Sequence, residues 1–219
     1  MVLGILIAFQ VDEWRSSRKD QLFAYTSLES ILLDLEAEYS DSQPAIPTAR
    51  QSLDSIARLS EMLLSTNPRD EVRITETYYE TLIGYAWRQN APTYSGLRES
   101  GEPFLVSDTE LRERLFVYYD FGEFVEILEN RLGVARDKFS EAARRDFYTL
   151  PILGNSSNSS NPLRQTHFVQ PVEDMPRHPD YFGALSSYSS RLARWITRME
   201  DLQSRNLALQ DFVRARLGK

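Results

Sequence analysis

The chain contains no cysteine. Disulfides, iron–sulfur clusters, thiolate zinc sites and cysteine nucleophiles are therefore excluded, and an oxidising compartment is compatible. It has only two histidines, His167 and His178, and no His-x-x-His or His-Glu-x-x-His. A di-iron bundle needs Glu-x-x-His pairs on facing helices. The carboxylates Glu36 and Glu38, and Glu123 and Glu126, therefore read as solvated helix faces. No metal and no cofactor is expected. Gly-rich phosphate loops are absent, and Ser95-Gly96 lacks the Gly-x-Ser-x-Gly elbow. Arg144-Arg145 and the arginines between Arg88 and Arg98 read as solvated surface. No catalytic constellation appears, and the expectation is a protein that is not an enzyme. A net charge of −7 disfavours nucleic acid as a partner. No alternating strand pattern of any length occurs.

What is present is enough for a folded core. The 219 residues are 42% hydrophobic and 26% charged, ordinary values for a globular chain. The organising stretch is residues 1–40. It opens on the uncharged run Met1-Val-Leu-Gly-Ile-Leu-Ile-Ala-Phe-Gln-Val11, which passes into Asp12-Glu-Trp14-Arg15 without a helix breaker. One continuous helix is expected, greasy at its start and wet beyond. Ten helical residues cover about 15 Å, half of the roughly 30 Å of a bilayer core. Val2, Leu3, Ile5, Leu6, Ile7, Phe9 and the interface aromatic Trp14 are the expected membrane contacts. A start codon set too late, a dip into one leaflet, packing on a partner's helices, or a buried soluble helix end are alternatives. A signal peptide is disfavoured, because no basic head or small-x-small cleavage site is present. The organisation expected is a membrane-anchoring segment at 1–13 and a helical bundle at 14–219.

The fold class predicted is all-α, an elongated bundle of about four main helices. The first runs to Tyr39, with Trp14, Leu28 and Leu35, and Tyr25, Leu32 and Tyr39, at seven-residue spacing. Pro44 and Pro47 end it. A second covers 48–65, with Leu53, Ile56, Leu59 and Leu63 inward, before Asn67-Pro68. A third covers 74–89 and carries Tyr78, Leu82, Tyr85 and Ala86. A short helix at 93–100 stops at Gly101, a C-cap glycine. The next starts at the capping-box spacing Ser107-Asp-Thr-Glu110 and reaches toward Tyr148. Leu111, Tyr118, Val125, Leu132 and Phe139 form its heptad series, with Phe121, Leu128, Ala135 and Ala142 as companions. The last begins near Asp180, with Tyr181, Tyr188, Trp195, Leu202 and Leu209 in one series. Leu185, Leu192, Met199, Asn206 and Val213 form the other. Asn206 is either a register device in a core slot or a residue at a frayed edge. The acidic end of the first helix (Glu29, Asp34, Glu36, Glu38, Asp41) is expected beside Arg191, Arg194 and Arg198. Residues 150–179, with the polar run Gly154 to Pro162, are expected as a long loop. Its Asn155-Ser-Ser and Asn158-Ser-Ser fit a glycosylation sequon by chance.

Three stretches carry a resemblance. Gly4-Ile-Leu-Ile-Ala-Phe-Gln-Val-Asp-Glu-Trp14, Thr93-Tyr-Ser-Gly-Leu-Arg-Glu-Ser-Gly101, and Leu105-Val-Ser-Asp-Thr-Glu-Leu111 with Tyr118-Tyr119 are similar in order and spacing to segments of one family. It is an uncharacterised bacterial family of single-pass membrane proteins. The resemblance implies an inner-membrane protein with a helical extramembrane domain, and no particular activity. Members carry a basic head and a full span before the first segment, which this sequence does not show.

Topology has opposing cues. Arg15, Arg18 and Lys19 after the apolar run place the domain in the cytoplasm by the positive-inside rule, whereas the family's basic head implies the periplasm, which is preferred. The leading expectation is a membrane-anchored, non-enzymatic accessory subunit of a larger membrane complex, an energy-transducing one among the options. Its partners would be membrane lipid and other membrane-protein subunits, with Tyr118, Tyr119, Arg15 and Arg18 as expected interface residues. The alternative is a periplasmic sensor-like bundle that binds a small ligand.

Overall fold

The computed structural model describes residues 2–65, 70–84, 86–101, 108–146, 174 and 178–218. For residues 2–9, 12 and 146 it describes the backbone. Among the described residues the fold is all-α and no strand occurs. Six helices follow in order: α1 (Val2–Ser42), α2 (Ala45–Leu64), α3 (Glu71–Thr81), α4 (Pro92–Ser100), α5 (Thr109–Asp146) and α6 (Pro179–Leu217). The chain forms two compact units. Unit 1 comprises residues 1–41, 88–123 and 202–219, and unit 2 comprises 42–87 and 124–201.

Helix boundaries follow local chemistry, with instructive departures. Pro44, expected only to end α1, is also the N-cap of α2. Pro47 then falls in the first turn of α2, where its missing N–H is not needed. The cap of α5 lies one residue later than the Ser107 box: Asp108 accepts from the Leu111 backbone N–H at 3.0 Å. Ser107 itself lies outside the described residues. At the end of α4, Gly101 adopts φ 65°, and its N–H reaches the Leu97 carbonyl. That left-handed conformation is the one a C-terminal glycine supplies without steric cost. Asn67-Pro68, Tyr85, Tyr148, His167 and all of 150–179 except Asp174, His178 and Pro179 lie outside the described residues.

The third helix is much shorter than the pattern implied. It starts earlier, at Glu71, where Asp70 caps the Arg73 N–H at 3.1 Å, and it stops at Thr81. The apolar spacing of Leu82 and Ala86 is therefore not helical. Tertiary bonds hold the following backbone instead. Ser52 donates to the Ile83 carbonyl, and both Glu129 oxygens accept from the Trp87 N–H at 3.0 and 3.1 Å. Two satisfied backbone groups in an irregular segment outweigh the weak preference of four helical residues.

Unit 2 has an aromatic centre. Phe139 of α5 is fully buried, 5.6 Å from the Tyr78 ring, 5.5 Å from Tyr181 and 6.0 Å from Tyr188. Two of the phenols have their polar ends bonded: Tyr188 donates to the Thr81 carbonyl at 2.9 Å, and Tyr78 to Ser140 at 3.3 Å. Helix α2 packs on α3 through Ile56, Leu59 and Leu63. Leu53, expected inward, is half-buried. Arg58 ties the pair at its edge, donating to Ser55 and Glu80 at 2.7 Å each.

Unit 1 assembles residues 27–41 of α1, α4, the first turns of α5 and the last turns of α6. Its apolar core includes Ile31, Leu35, Leu97, Leu111, Leu115, Leu209 and Val213. Helix α4 lacks a cap of its own at Ala91, and Asp34 of α1 replaces it by accepting from the Thr93 N–H at 3.0 Å. Tyr94 stacks on Tyr119 at 4.2 Å. The expected stripe on α1 is corrected here. Trp14 and Tyr25 are exposed, and the buried seam runs through Ser27, Ile31, Leu32, Leu35, Glu38 and Ser42. The acidic end of α1 also finds a different cation: Glu36 pairs with Arg214 at 2.8 Å. Arg198 pairs with Asp201 at 2.9 Å, and Arg191 donates to Ser187.

Replacing Phe139 by Ala removes the ring on which three tyrosines lean, so Phe139→Ala is expected to cost about 3–5 kcal/mol. Urea unfolding of the full chain followed by circular dichroism measures this; a loss under about 1 kcal/mol would mean the aromatic centre collapses without it.

Candidate functional site

Three places stand out once the units are assembled: the first half of α1, the polar core of unit 1 and a cleft in unit 2.

Helix α1 is unbroken from Val2 to Ser42, about 60 Å of rod. No break occurs at Trp14. Every described side chain between positions 10 and 23 is exposed. Among them Trp14 is 60% and Leu22 67% exposed, with Val11, Phe23 and Tyr25 also open. Val11, Trp14, Leu22 and Tyr25 are separated by three, eight and three residues. At 3.6 residues per turn they share one face, rotated away from the Ser27–Ile31–Leu35 seam. Arg18 lies on the same face, its guanidinium 5.3 Å from the Trp14 ring. Arg15, expected at an interface with it, is exposed too. For Val2, Leu3, Ile5, Leu6, Ile7 and Phe9 the helical backbone alone is described. Among the described residues no helix is long and apolar enough to cross a membrane.

The polar core of unit 1 was least visible in the sequence. Asn206 is buried and in register: its amide donates to the Tyr118 hydroxyl at 2.7 Å, and its carbonyl accepts from Gln210 at 2.7 Å. Gln210 also donates to the Leu35 carbonyl at 3.3 Å and accepts from Arg214. Asn206 thus occupies a core slot and no frayed edge. Tyr118 and Tyr119, expected as partner contacts, are core residues of this unit. Glu38, expected on a solvated face, is a correction: it is 3% exposed. Burial pushes the Tyr118 and Tyr119 phenols up, and the Glu38 charge adds to it. The signal for Glu38 was its spacing. It lies three residues after Leu35, in line with Ile31 and Ser42, and only its charge argued otherwise. Glu36, Glu123 and the exposed arginines sit on the surface as expected.

In unit 2, α5 and α6 and the irregular segment after α3 enclose a cleft of about 390 Å³. Gly84, Arg136, Glu129, Tyr188, Leu192 and Trp195 are among its walls. Burial raises the Tyr188 phenol, and Arg136 opposes the shift. Among the described residues no group of three or more His, Cys, Asp or Glu is placed to hold a metal ion. The chain matches no protein-family model, no curated protein and no solved structure.

Two outcomes are expected. Asn206→Leu leaves the Tyr118 hydroxyl and the Gln210 amide short of a partner and costs about 1–3 kcal/mol in chemical unfolding. The raised phenols also predict alkaline sensitivity. A tyrosine whose folded pKa exceeds its unfolded value of about 10 holds its proton longer when folded, so stability is full below that pH and falls as pH rises past it. Denaturation midpoints measured from neutral pH to about pH 11 should drop, and should drop less in Glu38→Gln, where Tyr118 and Tyr119 are raised less.

Proposed function

We propose that the protein is a non-enzymatic, membrane-associated docking protein, an accessory subunit held against a larger bacterial membrane complex by the first half of α1. The observation that carries this is the exposed face of Val11, Trp14, Leu22 and Tyr25 on a helix that continues unbroken into the uncharged run at 2–9. Each such side chain gains about 1.5–3 kcal/mol when fully removed from water. A partner that covers the face must also accommodate the apolar run at the same helix end. Transmembrane helices with their surrounding lipid meet both needs, and Trp14 and Arg18 suit the level where lipid gives way to water. The resemblance to a bacterial inner-membrane family points the same way, with the bulk of the chain in the periplasm. A second reading, a sensor-like bundle that binds a small ligand, is favoured by the cleft in unit 2.

The test is co-purification of the full chain from native membranes in mild detergent, paired with flotation on lipid vesicles. The intact protein should float with vesicles and elute with a larger membrane complex. The double change Trp14→Glu with Leu22→Glu should keep the helicity and weaken complex recovery about tenfold or more. Recovery of the intact protein as a free monomer in the vesicle-free fraction would overturn the proposal.

A further inference from the structure

Helix α5 carries an apolar stripe that faces water. Its other side supplies core residues such as Leu115, Val125 and Phe139, but Val117, Phe124, Ile127 and Val134 are between 42% and 57% exposed. Their separations of seven, three and seven residues put them on one face about 100° wide. Charged residues continue the same period. Glu113 and Asp120 stand on this face in its first half, and Arg131 and Lys138 in its second half. All four are exposed, and among the described residues none of them forms an ion pair within the chain. The neighbouring Arg114 is engaged by Glu110 at 2.9 Å, and Arg205 lies over the Phe121 ring. In unit 2 a groove between α5 and α6 brings Arg191 alongside Arg131 and Lys138, with no carboxylate in its walls. The face thus holds its negative charge in one half and its positive charge in the other, around an apolar centre.

That order complements itself when reversed. In an antiparallel pair with the two-fold axis between positions 125 and 126, Phe124 meets Ile127 and Val117 meets Val134. Asp120 then meets Arg131, and Glu113 meets Lys138. A two-fold interface makes each of these contacts twice, so every position on the face finds a match. Other alignments do not achieve this. A parallel pair in register sets Glu113, Asp120, Arg131 and Lys138 each against its own like, which is repulsive. An antiparallel shift of one heptad puts Asp120 on Phe124 or Arg131 on Ile127.

We propose that this face of α5 is an interaction surface for a second copy of the chain, and that the protein forms an antiparallel two-fold dimer through Glu113 to Lys138. This goes beyond the docking role, which uses α1, so either can fail alone.

The first experiment is analytical ultracentrifugation of the full chain in mild detergent. It should show a dimer, and Trp14→Glu with Leu22→Glu should leave that dimer intact. By symmetry Asp120→Arg replaces two attractions with two repulsions, and it should weaken dimerisation about tenfold or more. Arg131→Asp should do the same. An equimolar mixture of these two variants should dimerise as the parent does, because each supplies the charge that the other needs. The substituted positions are exposed, so the fold is kept, which circular dichroism checks. The absence of native cysteine allows a second readout. Val117→Cys combined with Val134→Cys should give a disulfide-linked dimer on oxidation. Neither change alone should, since like positions lie about 25 Å apart along the paired helices. A monomer at concentrations up to about 100 μM would overturn the proposal. So would loss of the dimer in the α1 variant, charge variants that associate undiminished or fail to recover on mixing, no cross-link in the double cysteine variant, or a cross-link in a single one.

Discussion

Asn206 has one donor group and one acceptor, and unit 1 is arranged so that both are met. Its amide faces Tyr118 of α5, and its carbonyl faces Gln210, whose amide also reaches α1 at Leu35. Three helices are thereby keyed to one another by polar groups that cannot be moved by a turn without being orphaned. Apolar side chains such as Leu209 and Val213 supply more burial, but hydrophobic contact is indifferent to small slips. A buried amide is not indifferent, because an unmatched partner inside the core costs about 1–3 kcal/mol. Stability in this unit therefore comes from the leucines and isoleucines, and alignment comes from the amides.

That alignment determines what the rest of α1 can do. The helix is fixed from Ser27 onward, by Ile31 and Leu35 below and by the Glu36–Arg214 pair at the rim. An exposed ion pair of this kind contributes at most about 1 kcal/mol, so the seam and not the rim holds the rod. Since the helix is continuous, rotation of its packed part also sets the rotation of its exposed part. The face formed by Val11, Trp14, Leu22 and Tyr25 thus has a defined direction relative to unit 1. A docking face with a defined direction loses less freedom on binding than a flexible tail of the same composition.

How far this was legible in the sequence depended on whether helix-to-helix packing alone decided a residue's place. All ten heptad positions of α6 are buried, from Tyr181 to Val213. There the period was long and uninterrupted, with Asn206 its one polar side chain outside the aromatics. The C-cap at Gly101 was legible for a similar reason, since one residue type meets one backbone demand. The third helix failed because a partner distant in sequence intervened: Glu129 claims the Trp87 N–H, and no local pattern announces that. Glu38 failed for the opposite reason. Its position was visible in the spacing, but a carboxylate was assigned to water by default. Trp14 and Tyr25 were assigned to the buried stripe of α1 and are exposed, because seven-residue spacing places a residue on a helix without saying what covers it.

Among the described residues each unit bonds some of its buried polar groups and leaves others without a partner. In unit 1 the amide and phenol groups of Asn206, Gln210 and Tyr118 are bonded to one another, while the buried Tyr119 hydroxyl meets no partner. Closed networks of this kind rigidify the helices that share them. In unit 2 the buried Trp195 indole N–H meets no acceptor, while the Tyr188 hydroxyl donates to the Thr81 carbonyl. An unsatisfied donor is a standing cost in stability, and it persists in a fold only where packing holds it there. Phe139 and its three tyrosines provide that packing in unit 2, since they fix the α5 and α6 turns on which Arg136 and Tyr188 stand.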